Sequence, residues 1–449
     1  MELILGLIAI IAVGYYIVKG YSATGVLMSV GLLLLFASVL LGKPVLPEGV
    51  KSTGVLYLDV FEYVKYLLMN RGGNLGMLIM VLCGFAAYMT HLGANDMVVK
   101  LASHPLKYIK SPYTLMIAAY FLACVMSLAV PSATGLGVLL MATLFPIMIN
   151  VGISRGAAAS ICASPAAIIL SPTSGDVVLA AEVSKMPLLE FAFNLTLPIS
   201  IAAIISIAVA HYFWQRYLDK KEGHNIERLD IHDIKTDAPA YYAIFPFTPI
   251  IGVLIFDGKL APELNIITII VICLLIVALV DFCRSFSARK VYENLNVAYQ
   301  GMAEAFSAVV MLLVAAGVFA QGLSTVGFIH MLIDSVQSVS SGGFLMMIAL
   351  AIITALAAIA TGSGNAPFYA FVELIPKLAT QMGINPAYLT IPMLQASNIG
   401  RSLSPVSGVV VAVSGMAKIS PFEVVKRISV PMIVGFIVVI VATEIMVSA

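Results

Sequence analysis

The chain has 449 residues, of which 61% are hydrophobic and only 10% charged, more apolar surface than one soluble core can hide. Its 24 basic and 23 acidic residues leave a net charge of +1, with neither a basic face for nucleic acid nor an acidic tail. The five cysteines stand singly in apolar runs, without disulfide or metal-site spacing, so no metal or cofactor is expected.

The first apolar run lacks a basic leader and a small-residue cleavage site, and it reads as a retained span. From there, stretches near the roughly 20 residues that cross hydrocarbon follow one another almost without pause. Ten crossings are expected, at 2–18, 23–41, 73–93, 155–183, 188–214, 241–256, 262–281, 302–322, 385–415 and 422–447. Residues 57–71 and 94–110 mix charge with apolar residues at helical spacing and should lie in the interface. Two longer apolar segments are interrupted by PSATG at 131–135 and TGSGNAP at 361–367, which predicts two re-entrant hairpins. SPTSGD at 171–176 and SPVSG at 404–408 break the fourth and ninth crossings. A polar stretch, 215–239, divides the chain near its midpoint.

The two halves are repeats. Residues 163–198 align without a gap on 396–431 with 12 of 36 identities, and the shared S-P-x-S-G and spaced Lys, Glu and Pro are not what chance gives two apolar helices. Five crossings per half, an odd number, invert the second half relative to the first. The expected fold is therefore all-α and polytopic: a first inverted repeat at 1–214, a cytoplasmic linker at 215–240 and a second repeat at 241–449. Sixteen of the 24 Lys and Arg fall on the side of the central loop, seven on the other and one, Arg401, inside the membrane. The positive-inside rule then makes that loop cytoplasmic and both termini periplasmic.

Unwound backbone at four breaks would expose amides and helix N-termini at the midplane, where short hydroxyl and amide side chains add donors for an anion. Candidate substrate-binding residues are Ser132, Thr134, Ser171, Thr173, Ser174, Ser363, Asn365, Ser397, Asn398, Arg401, Ser404 and Ser407. Asp176 and Arg401 carry charge where insertion costs about 2.5–3.5 kcal/mol, and their repeat partners Val409 and Ile168 do not. Arg401 could grip a carboxylate bidentately and Asp176 could take up a proton or a cation. The alternatives are that Asp176 caps a half-helix or that the two charges pair. No phosphate loop or nucleotide-binding domain exists to drive pumping, so transport is expected to be secondary or passive. Nor does the spacing supply a base for a serine nucleophile, so no enzyme is expected. The six histidines, mostly at span ends and in loops, read as interface residues.

The runs GYSATGVL, CGFAAYMTHLGANDMVVKLAS, SPTSGDVVLAA, TGSGNAPFYAFVELIPKL and NPAYLTIPMLQASN with RSLSPVSGVVVAV resemble the anaerobic C4-dicarboxylate carriers called DcuC, over nearly the whole chain. That resemblance implies a bacterial inner-membrane carrier of elevator type, exporting succinate or exchanging it for fumarate, with a proton or sodium ion as coupling partner and a homodimer left open. The Ser-Asn-Thr triplets of the superfamily's sodium sites are here Ser-Ala-Thr at 132–134 and Gly-Asn-Ala at 364–366, which weighs against sodium. The alternatives are an amino-acid or other small-metabolite carrier on the same scaffold, and an anion channel.

Overall fold

The computed structural model describes residues 2–47, 50–223, 236–256, 261–328 and 342–447, and the regular structure there is helical. The first half holds α1 (Glu2–Val18), α2 (Ala23–Leu40), α3 (Leu56–Arg71), α4 (Met77–His91), α5 (Ala94–Ser103), α6 (Pro112–Met126), α7 (Ala133–Asn150), α8 (Arg155–Ala163), α9 (Gly175–Val183) and α10 (Leu197–Glu222). The second half holds α11 (Thr248–Ile255), α12 (Ile266–Ser285), α13 (Ala288–Ala305), α14 (Met311–Thr325), α15 (Gly342–Thr361), α16 (Asn365–Val372), α17 (Ile375–Met382), α18 (Pro386–Ser402), α19 (Gly408–Ala417) and α20 (Pro421–Met446).

Two groups of helices emerge from how these elements pack. In the first, α2 lies along α14 and α4 along α13, with α12 beside α4. Glycine makes the close approach possible: a Cβ at Gly31 would stand 2.6 Å from the Phe319 nitrogen, and one at Gly84 2.6 Å from the Ala298 carbonyl oxygen. α13 is amphipathic, and α3 and α13 each pass through a π-helical turn, Gly72–Gly76 or Phe306–Val310, into the apolar helix that follows. In the second group α10 lies along α20, α15 along α18 and α7 against α19, with α9, α16 and α17 packed on α18.

All ten expected crossings fall on helix, and the expected hairpins are α6–α7 and α15–α16–α17, the latter with a return arm made of two short helices. Length and composition single out seven segments able to span a membrane among the described residues, α7 and α15 among them. The broken crossings escape that criterion because each half-helix is short. The two breaks share local geometry. Ser171 accepts the Ser174 N–H at 3.2 Å as Ser404 accepts that of Ser407 at 3.2 Å, and Lys185 and Lys418 take left-handed φ of 54° and 55°.

Two expectations are corrected. The polar stretch read as linker from 215 begins as helix, since α10 continues to Glu222 and buries Gln215 and Asp219 against α20. There Arg427, 4% exposed, is bound by Asp219 at 2.7 Å, Glu222 at 2.5 Å and Glu423 at 2.7 Å, so Asp219, which helped to mark a loop, is paired inside the bundle and Glu222 at its edge. His211 is not an interface residue. It is fully buried, its ring beside Tyr120 and its Nδ1 3.2 Å from the Gln215 amide. Residues 224–235 of the linker, with His224 and His232, lie outside the described residues, as does His330.

Candidate functional site

Four helices begin where the chain is broken or turned: α7 after Pro131, α9 after the first break, α16 after the second hairpin tip and α19 after the second break. Their first residues, Ala133, Gly175, Asn365 and Gly408, all line one cavity of about 450 Å³. Each N-terminus presents unpaired N–H groups and the positive end of a helix dipole, so their convergence makes the cavity a place for negative charge. Its size is that of a small-molecule site.

The tips reach this position through glycine. Gly362 holds φ +71°, and a Cβ on it would stand 3.0 Å from the Ser407 nitrogen. A Cβ on Gly364 would stand 3.0 Å from Asn398 Oδ1, and one on Gly408 3.0 Å from Thr134 Oγ1. Both tips therefore press on the second break, and neither hairpin could do so with a bulkier residue there.

The backbone freed at the first break is satisfied by α10 of its own half and by α18 of the other. Gln395 Oε1 accepts the Ile169 N–H at 3.0 Å, while Ser200 Oγ donates to the Ile169 carbonyl at 3.1 Å and to it Gln395 Nε2 donates at 3.4 Å. Arg401 Nη2 donates to the Ala166 carbonyl at 2.8 Å. That contact uses one of five guanidinium donors, and Nε is buried without a partner among the described residues. The rest of the fork lies beside Gly364, facing the cavity.

Asp176 sits in the first turn of α9, 5% exposed, yet it caps nothing: its Oδ1 accepts the Tyr369 hydroxyl of α16 at 2.5 Å. Asp176 and Arg401 are electrostatic neighbours that form no direct ion pair. The capping and pairing alternatives thus give way to a carboxylate tied to the hairpin. Tyr369 was not singled out from the sequence, where it is one aromatic among several in the run after TGSGNAP.

Ten of the thirteen expected residues line the cavity: Ser132, Thr134, Ser171, Thr173, Ser174, Asp176, Ser363, Asn365, Asn398 and Arg401. Ser397, Ser404 and Ser407 do not. Ser397 Oγ donates to the Leu394 carbonyl within its helix, Ser404 Oγ accepts the Val406 N–H, and Ser407 Oγ accepts the Val410 N–H as an N-cap. Ser174, the repeat partner of Ser407, makes no such cap bond and lines the cavity instead. Asn398 Oδ1 is buried without a partner among the described residues and Ser171 Oγ shares a 3.0 Å contact with Thr173 Oγ1, so the polar lining comes from the first break, both tips and the end of α18. Among the described residues no three His, Cys, Asp or Glu side chains gather as a metal site.

Against this geometry the comparisons with known proteins are specific. A family model described as DcuC, C4-dicarboxylate anaerobic carrier, matches residues 1–448. A relative from Escherichia coli K12, named anaerobic C4-dicarboxylate transporter DcuC, is 71% identical over 447 residues, covering all of this chain and 97% of the relative. One from Vibrio cholerae is 59% identical over 450 residues, covering all of this chain and 98% of its own. The crystal structure of the Alcanivorax borkumensis YdaH transporter, with an unusual topology, superposes with TM-score 0.60 at 16% identity, over 94% of this chain and 97% of that one, a likeness of fold.

Proposed function

This chain belongs to the DcuC family of C4-dicarboxylate anaerobic carriers, and from that premise we propose that it moves succinate outward and exchanges it for fumarate through the cavity between the two breaks. The observation that carries the reading is the convergence of four helix N-termini with the Arg401 guanidinium on one space, opposed by a single carboxylate already engaged with Tyr369. A dianion of four carbons carries a carboxylate at each end. Arg401 holds one end, and the amide groups and hydroxyls of the hairpin tips hold the other.

Asp176 is the coupling residue in this reading. It alternates between charged and neutral forms as the second group of helices carries the cavity past the first, the motion of an elevator in an inverted-repeat carrier. The protein sits in the bacterial inner membrane with its central loop in the cytoplasm and both termini in the periplasm, as the basic residues favour.

The test is uptake of labelled succinate into proteoliposomes of the purified protein, with unlabelled acids in competition. Fumarate and malate should compete fully, while amino acids should leave uptake unchanged. Competition by an amino acid at equal concentration would overturn the substrate class.

A further inference from the structure

The first hairpin tip marks the cavity's mouth: Pro131, Ser132 and Thr134 there are exposed, whereas at the second tip Gly364 is buried and Gly362, Ser363 and Asn365 are half-buried. Along α4 the lining runs from Ile79 to Met89. Arg71, at the end of α3, precedes this stretch by roughly 12 Å at 1.5 Å per residue, outside the cavity lining.

There Arg71 crosses from the first group of helices to the second. Its Nη1 donates to Glu182 Oε1 at 2.8 Å, at the end of α9, and its Nη2 to Glu373 Oε2 at 2.6 Å, just past α16. These are the two half-helices already joined in the cavity by Tyr369, one turn before Glu373, and Asp176, in the first turn of α9. The Glu373 side chain is only 8% exposed and its second oxygen is buried without a partner among the described residues, so it leans on this one guanidinium. Lys377, on α17, makes a second crossing in the opposite sense, donating to Gln321 Oε1 at 2.9 Å and Ser324 Oγ at 2.7 Å on α14.

We propose that Arg71, seconded by Lys377, is a latch that holds the far side of the cavity shut while the first hairpin's side is open. The latch rests on the reading of the second group as the moving one. A planar fork with one carboxylate on each arm seats α9 and α16 against α3 in a single register, and sliding the group along α3 pulls both carboxylates from it at once. Separating a buried carboxylate from its only cation is a discrete cost, which gives two positions rather than a continuum. The far side opens when the fork lets go.

Native Cys83 reports the outcome, because it is half-buried in the cavity wall and the exposed Cys283 can be removed as Cys283→Ser. In that background, an impermeant maleimide is applied to right-side-out and to inside-out vesicles of wild type, Arg71→Gln, Arg71→Lys and Glu182→Gln. Arg71→Gln should raise labelling from the face opposite the open mouth by about fivefold or more, as a shifted two-state equilibrium requires. Arg71→Lys should fall between it and wild type. Glu182→Gln, whose side chain is 45% exposed and tolerant of change, should do the same if Arg71→Gln fails to fold. Labelling from that face unchanged in both Arg71→Gln and Glu182→Gln overturns the latch. The moving-group reading is tested separately by wild type with succinate present: labelling confined to one face there sinks that reading, whatever the variants do.

Discussion

Arg401 and Asp176 face the same cavity with different work to do. Arg401 is held by one hydrogen bond to the Ala166 carbonyl and retains donors for a carboxylate. Arg401→Ala should weaken apparent succinate affinity about tenfold or more, the scale of a lost hydrogen bond to a charged group, and Arg401→Lys should restore only part of it. Concentration dependence of uptake checks both, and unchanged half-saturation would remove Arg401 from the site. Asp176→Asn should flatten the pH dependence of net efflux while leaving affinity within a few-fold, since an amide still accepts from Tyr369 but cannot titrate. Superimposable pH profiles would return Asp176 to a structural part. Both charges were legible in the sequence because charge inside an apolar span is costly and lacked a repeat counterpart. Tyr369 was not, since an aromatic there is ordinary until its hydroxyl is seen against Asp176. Nor was the fate of Ser397, Ser404 and Ser407, because a serine's hydroxyl can serve either its own helix or the cavity, and only backbone geometry decides.

At the scale of elements, proline, glycine and serine told where helices stop, and the hairpins and breaks stand where these residues cluster. The end of α10 was misread for a related reason. Gln215, Asp219 and Glu222 are polar enough to suggest a loop, but all three bind one cation 205–212 residues away in the chain, the first two from buried positions. Periodicity carries no sign of so distant a partner. The same network makes a strong prediction. Arg427→Ala leaves Asp219, 1% exposed, without its cation, although Ser154 and Tyr113 still donate to it. A loss of about 3–5 kcal/mol is expected. It should appear as a lower melting temperature in detergent, and an unchanged one would show the network to be dispensable.

For the whole molecule, apolar length and the internal repeat made the all-helical, polytopic fold legible, while the division into two packed groups was not, because it depends on which helices lie side by side. Sidedness remains an expectation with a direct check in a native thiol. Cys283, exposed at the end of α12, should react with an impermeant maleimide in inside-out vesicles and stay protected in right-side-out ones. The reverse would turn the molecule over without altering its site. The central claim, a carrier whose one cavity takes a C4-dicarboxylate from either side, is tested most directly by counterflow. Proteoliposomes preloaded with unlabelled fumarate should take up labelled succinate several-fold faster than empty ones, because a loaded site returns across the membrane more readily than an unloaded one. Uptake indifferent to the preload would contradict exchange through this cavity and leave a passive anion path in its place.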